Sequence, residues 1–214
     1  IRSKPAGRLP VKTYLISEQK RADAYKFIFN LIKAGQQAFV ICPFIEQKNS
    51  DSLFDLDDRK AVETEFADLA KTILGTTRIE KLHGKMKASE KEAIMSRMKK
   101  GEIDVLVSTS VVEVGVDIPN ATVMIIEDAD KFGLAQLHQF RGRVGRNDLQ
   151  SYCFIFSKNI QNEKTKNRLK AFVGSTDGFE LSKIDLKLRG PGAVLGLVQS
   201  GYSEINPLWL EDTA

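Results

Sequence analysis

The stretch "QAFVICP" at residues 37–43 carries five consecutive apolar side chains, Ala38 to Cys42, and stops at Pro43. A strand with one wet face alternates apolar and polar residues, so an unbroken apolar run implies a strand covered on both faces. Proline cannot donate to a ladder, which halts the run at Pro43. Further apolar runs stand at "VKTYLIS" (11–17), "RIEKLHG" (78–84), "DVLVST" (104–109), "ATVMIIE" (121–127) and "SYCFIF" (151–156). Between them lie segments at helical spacing. These are 18–34, closing at Gly35; 61–74, with Phe66, Leu69, Ala70 and Ile73 on one face; 89–100, with Ile94, Met95 and Met98; and the stretch holding Leu134, Leu137 and Phe140. Strands alternating with helices predict parallel βαβ units, hence a doubly wound α/β domain over roughly residues 10–157.

The 214 residues, 42% of them hydrophobic, allow one sizeable domain with an appendage. Net charge is only +4, but its distribution is polar: Lys81 to Lys100 holds seven basic residues against Glu90 and Glu92, whereas Asp51 to Asp68 holds seven acidic ones against Arg59 and Lys60. One basic face is expected, as in proteins that bind nucleic acid. Cys42 and Cys153 each sit inside an apolar run, which predicts buried thiols and a reducing, cytoplasmic setting. His83 and His138 lack partners at metal-ligand spacing, so no zinc is expected, and no stretch reaches membrane-spanning length or forms a signal peptide. The first residue is Ile, which suggests a piece of something longer.

After Ser157 the pattern changes to helices at 161–173 and 179–188 with a Pro/Gly break at 190–192, a helical hairpin plus loop outside the sheet. Ligands of open parallel sheets sit at the carboxyl ends of strands. "HGKM" and "STSVVEVGVD" follow strands and "RGRVGR" precedes the last one, so all three are expected to line one rim. Within "AQLHQFRGRVGRN" (135–147), Arg141, Arg143 and Arg146 leave the end of an anchored helix, and Gly142 and Gly145 leave the backbone bare. Planar guanidinium groups presented this way suit phosphate oxygens.

Gln139 to Arg146, "QFRGRVGR", resembles the QxxGRxGR motif of superfamily 2 helicases, "TSVVEVGVD" (109–117) the motif preceding it, and "LHGKM" (82–86) a nucleic-acid-facing strand end of the same lobe. Within that superfamily, "DKFGLAQLHQFRGRVGR" and "DGFELSKIDLKLRGPGAVLG" resemble the RecG family of branched-DNA translocases, the second stretch its translocation hairpin. The resemblance covers nearly the whole chain. It implies a RecA-like second motor lobe at 1–157 and a translocation hairpin with C-terminal extension at 158–214. It implies Arg143 and Arg146 as catalytic contacts to the ATP γ-phosphate, Arg146 as the finger, with Gly115, Asp117 and Gln139 at the nucleotide. His83, Gly84, Lys85, Thr109 and Ser110 are implied at DNA phosphates.

No G-x-x-x-x-G-K-[ST] loop is present, and Glu127-Asp128 after "VMII" has no phosphate loop to accompany it. ATP and Mg²⁺ would therefore be held mainly by a first lobe of the same polypeptide, and this chain alone would be an inactive half of a DNA helicase and ATP hydrolase. The implied partner is branched double-stranded DNA, meaning forks and Holliday junctions in recombination and repair. Two departures stand out: Leu197-Val198 where the family commonly reads Thr-Arg, and Asn147 where it commonly has Gly, a residue that also tolerates left-handed backbone. Two alternatives remain open at this point. One is the lobe of a transcription-repair coupling factor; the other is a non-catalytic basic module that binds nucleic acid or a protein.

Overall fold

A computed structural model of the chain describes residues 9–43, 45–46, 56–109 and 118–189. Ser110, Gly115 and Asp117 lie outside the described residues, as do Leu197 and Val198. Six parallel strands form one sheet: β1 (Lys12–Ile16), β2 (Gln37–Ile41), β5 (Ile79–Leu82), β6 (Val105–Ser108), β7 (Ala121–Ile126) and β8 (Tyr152–Phe156), in the order β1-β8-β7-β2-β6-β5. A two-stranded antiparallel ribbon, β3 (Ile45–Glu46) and β4 (Leu56–Asp57), stands between β2 and α2 in the chain. The described residues also form six α-helices: α1 (Arg21–Lys33), α2 (Asp58–Ala70), α3 (Ala88–Lys99), α4 (Leu134–Arg141), α5 (Glu163–Gly174) and α6 (Gly178–Arg189).

Every residue of β2, β6 and β7 is buried, as unbroken apolar runs demand. Successive side chains alternate between two cores. On one face Ala38 and Val40 of β2 meet Ile28 and Ile32 of α1 and Val62 and Leu69 of α2. On the other, Phe39 and Ile41 meet Met95 and Met98 of α3 and Leu137 and Phe140 of α4. Leu169 and Phe172 of α5 and Leu181 of α6 join this second core, so both helices pack on a face of the sheet.

Polar groups trim the elements. Gln37, at the foot of the central strand, is buried and donates to the carbonyls of Met98 (2.7 Å) and Ile103 (2.6 Å), pinning the end of α3 to the start of β6. Helix α2 stops at Ala70, earlier than its apolar period suggests, because Thr72 turns the chain: its hydroxyl donates to Leu69 O at 2.7 Å and accepts from Leu74 N at 3.2 Å. Both cysteines are buried, and burial pushes each thiol up to about 12, which leaves them unreactive near neutrality.

Candidate nucleotide and nucleic-acid interface

Helix α4 is held by Leu134, Leu137 and Phe140, one buried face at helical spacing, with Phe140 edge-on to Phe132 at 5.2 Å. Its last residue, Arg141, turns inward and is only 4% exposed. The guanidinium donates through Nη1 to the carbonyl of Phe172 at 3.0 Å and lies 4.4 Å from that residue's ring centre. This carbonyl belongs to the last turn of α5, where helix carbonyls lack intrahelical donors. Nη2 stands 3.1 Å from His138 Nδ1; arginine offers only donors, so Nδ1 accepts and the imidazole proton sits on Nε2. A Cβ on Gly178 would come within 2.7 Å of that Nε2, so a larger residue there would force the imidazole to shift.

Beyond Arg141 the chain alternates anchors and cations. Arg143 is partly exposed, Val144 is buried in the core at 3% exposure, and Arg146 is again partly exposed. Gly145 adopts φ +78, and a Cβ there would meet Val11 Cγ2 at 3.0 Å. Asn147 Nδ2 donates to Pro119 O at 2.5 Å while its Oδ1 accepts from Leu149 N at 3.0 Å. Gln150 Nε2 donates to Pro10 O at 2.9 Å. Pro10, Pro119 and Ser151 immediately precede or nearly precede β1, β7 and β8. The arginine turn therefore lies at the amino edge of the sheet.

His83, Gly84 and Lys85 follow β5, and Thr109 follows β6, at the carboxyl edge. Leu82 pairs with Ser108, so His83 and Thr109 stand side by side at the ends of adjacent parallel strands. Both are buried, and His83 Nδ1 and Thr109 Oγ1 have no hydrogen-bond partner. An unpaired buried polar atom costs about 1–3 kcal/mol, and here two of them are neighbours at one edge of the sheet. Lys91, a residue the motif pattern did not single out, donates to Gly84 O at 2.6 Å and fixes the turn that presents Lys85.

One expectation is overturned here. The three motifs do not share a rim. Helix α4 runs back against the strand direction, so the loop leaving it must arrive at the amino edge, while His83 and Thr109 sit at the carboxyl edge. The described ends of the intervening segment, Thr109 and Ile118, lie at opposite edges. Gln139 is exposed on α4, on the amino-edge side with the arginines. Glu127, which follows β7, is taken up internally: it accepts from Arg21 Nη1 at 2.8 Å and from Tyr25 OH at 3.2 Å.

A family model, the helicase conserved C-terminal domain, matches residues 19–148. The ATP-dependent DNA helicase RecG of Aquifex aeolicus (strain VF5) is 46% identical over 201 residues, covering 92% of this chain and 24% of that protein. RecG of Staphylococcus epidermidis (strain ATCC 12228 / FDA PCI 1200) is 44% identical over 204 residues, covering 95% and 29%. A solved structure of RecG bound to a three-way DNA junction aligns with TM-score 0.72 at 37% identity, covering 90% of this chain and 24% of that one. The chain thus spans about a quarter of the length of the relatives it matches.

Proposed function

The chain belongs to the helicase conserved C-terminal domain family, and from that premise we propose that it is the RecA-like second motor lobe of a longer, RecG-like ATP-dependent DNA helicase. The carrying observation is identity of 46% to RecG across 92% of this chain, the helices beyond the family model included. The substrates are branched DNA: forks to be reversed and Holliday junctions to be migrated, in recombination and repair in the cytoplasm. Residues 1–157 form the lobe, and 158–214 the translocation hairpin and its extension.

ATP and Mg²⁺ are held mainly by the first lobe of the same polypeptide. Phosphoryl transfer to water is accelerated chiefly by positioning and charge stabilisation. Arg143 and Arg146, projecting from a turn anchored by Val144, meet the γ-phosphate when the lobes close, Arg146 as the finger. Gln139, Gly115 and Asp117 contact the nucleotide. At the opposite edge His83, Gly84, Lys85 and Thr109 grip DNA phosphates through imidazole, hydroxyl and backbone donors, and Ser110, next in the chain, shares that role. A segment running from Thr109 to Ile118 joins the two edges, which ties DNA grip to nucleotide state.

The test is steady-state ATP hydrolysis by the full-length protein and by this 214-residue chain, with and without forked DNA. The full protein is expected to turn over faster with forked DNA than without it, and the chain alone not at all. Turnover by the chain alone, or a full-length enzyme indifferent to DNA, overturns the proposal.

A further inference from the structure

Asn147 stands directly after the proposed finger, Arg146. Its place could be explained by tolerance of left-handed backbone, but among the described residues Asp128 alone, apart from glycines, has positive φ. Gly145 supplies the left-handed step in this turn, at φ +78. Asn147 is therefore there for its side chain. The amide bonds in two directions with both roles satisfied: Nδ2 gives to Pro119 O at 2.5 Å, and Oδ1 takes from Leu149 N at 3.0 Å.

Pro119 makes a rigid post. Its ring fixes φ, and the residue before it, Ile118, is 3% exposed and packed in the core with Val144. Ile118 O also accepts from Ala121 N at 3.1 Å, which closes the turn into β7. One amide thus joins the residue following Arg146 to the residue two after Asp117. Gln150 does the same on the other side of the loop, reaching Pro10 O ahead of β1. Arginine side chains are long and rotamer-rich, and a finger acts only when its base is held still.

We infer that Asn147 is a positioning residue, a clasp that fixes the Arg146 turn against the Ile118–Pro119 post and so sets the finger's reach towards the γ-phosphate. The inference rests on the proposed role of Arg146. It concerns this chain, since the resembled family commonly has glycine there and glycine offers no such bond.

Serine separates the two bonds. In Asn147→Ser the hydroxyl still accepts from Leu149 N but is too short to reach Pro119 O; Asn147→Ala loses both. Full-length protein carrying each change, with Arg146→Ala as control, is assayed for kcat and KM for ATP with forked DNA, and for fork affinity. The expected result is a kcat lowered roughly three- to tenfold in both Asn147 variants, the effect of one neutral hydrogen bond. KM for ATP and fork affinity stay at wild-type values, and Arg146→Ala is nearly inactive. Normal kcat in Asn147→Ala beside an inactive Arg146→Ala overturns the clasp and leaves the finger standing. Rescue by serine overturns it too, since the Leu149 turn alone would then suffice. A matching loss of fork affinity in Asn147→Ala reduces Asn147 to general support of the lobe. Normal turnover in Arg146→Ala removes the finger, and the clasp with it.

Discussion

Arg141 and Phe172 are joined twice, by a hydrogen bond of 3.0 Å from Nη1 to the carbonyl and by the guanidinium lying 4.4 Å from the centre of the phenyl ring. This divides a cluster that looks uniform in sequence. One arginine closes the end of α5 and holds it to α4; the other two are partly exposed. Burial holds the Arg141 guanidinium below its ordinary basicity.

Arg141→Ala should therefore act on stability. A hydrogen bond from a charged donor and a desolvated ring contact together suggest a loss of roughly 2–4 kcal/mol. Arg143→Ala, at a partly exposed position, should stay within about 0.5 kcal/mol. Urea denaturation of the two variants distinguishes them, and equal midpoints would contradict the structural role of Arg141.

Thr109 carries a prediction of opposite sign on two properties. Its hydroxyl is buried without a partner. Thr109→Val keeps the shape and removes the desolvated group, so it should stabilise the chain by about 1 kcal/mol while weakening DNA binding. DNA binding by the unmodified chain should be independent of sequence, and if two to four phosphates are neutralised, log K should fall against log salt with a slope of roughly −2 to −4. A valine variant that is less stable, or that binds DNA as well as before, would refute the assignment.

Glu65 on α2 offers a pH test. Burial, and secondarily the charge of Glu127, push its carboxyl from the ordinary 4.5 up to about 8. Between those values the folded chain binds a proton that the unfolded chain has released, so stability must fall as pH rises through this window. Melting temperature should decline between about pH 5 and about pH 9, more steeply than in Glu65→Gln, which keeps a neutral group at every pH. The glutamine variant should gain its advantage only at the alkaline end. Parallel curves for the two proteins would show that Glu65 is solvated and ordinary.

The fold was legible because burial on both faces leaves its mark in single runs such as Ala38 to Cys42, and because helices α1 to α6 carry apolar faces at the right spacing. Local competition was less so: Thr72 ends α2 through its own hydroxyl bonds, and β3 and β4 are too short to show a period. The site divides in the same way. Motif chemistry picks out Arg143, Arg146, His83 and Thr109, but three arginines of one residue type cannot reveal which one a distant α5 will bury. Nor does a motif's position before or after a strand declare its edge unless the direction of the returning helix is followed, which is why one rim was expected where there are two. Asn147 acts through a backbone carbonyl far along the chain, at Pro119, and Lys91 through one closer by, at Gly84, contacts that carry no residue pattern.

Arg146 bears the chemical claim. If it stabilises charge developing on the γ-phosphate, its loss must act on turnover more than on binding. Fingers of this kind are typically worth roughly 10³–10⁵ in kcat, so Arg146→Ala in the full-length protein should nearly abolish hydrolysis while ATP and fork affinities change little. Arg146→Lys should rescue poorly, because an ammonium on a flexible stem cannot reproduce a planar five-donor fork. Arg143→Ala should fall between if Arg143, which leaves the same turn just before the buried Val144, is a second contact to the phosphates. Arg141→Ala serves as the contrast: it should lower the melting temperature, with any loss of turnover recovered at temperatures where the protein remains folded. Steady-state ATPase with forked DNA, beside nucleotide titration and thermal melts, separates these outcomes. A normal kcat in Arg146→Ala would take that residue out of the active site, leave Arg143 as the remaining contact, and make the Asn147 bond to Pro119 a feature of the loop alone.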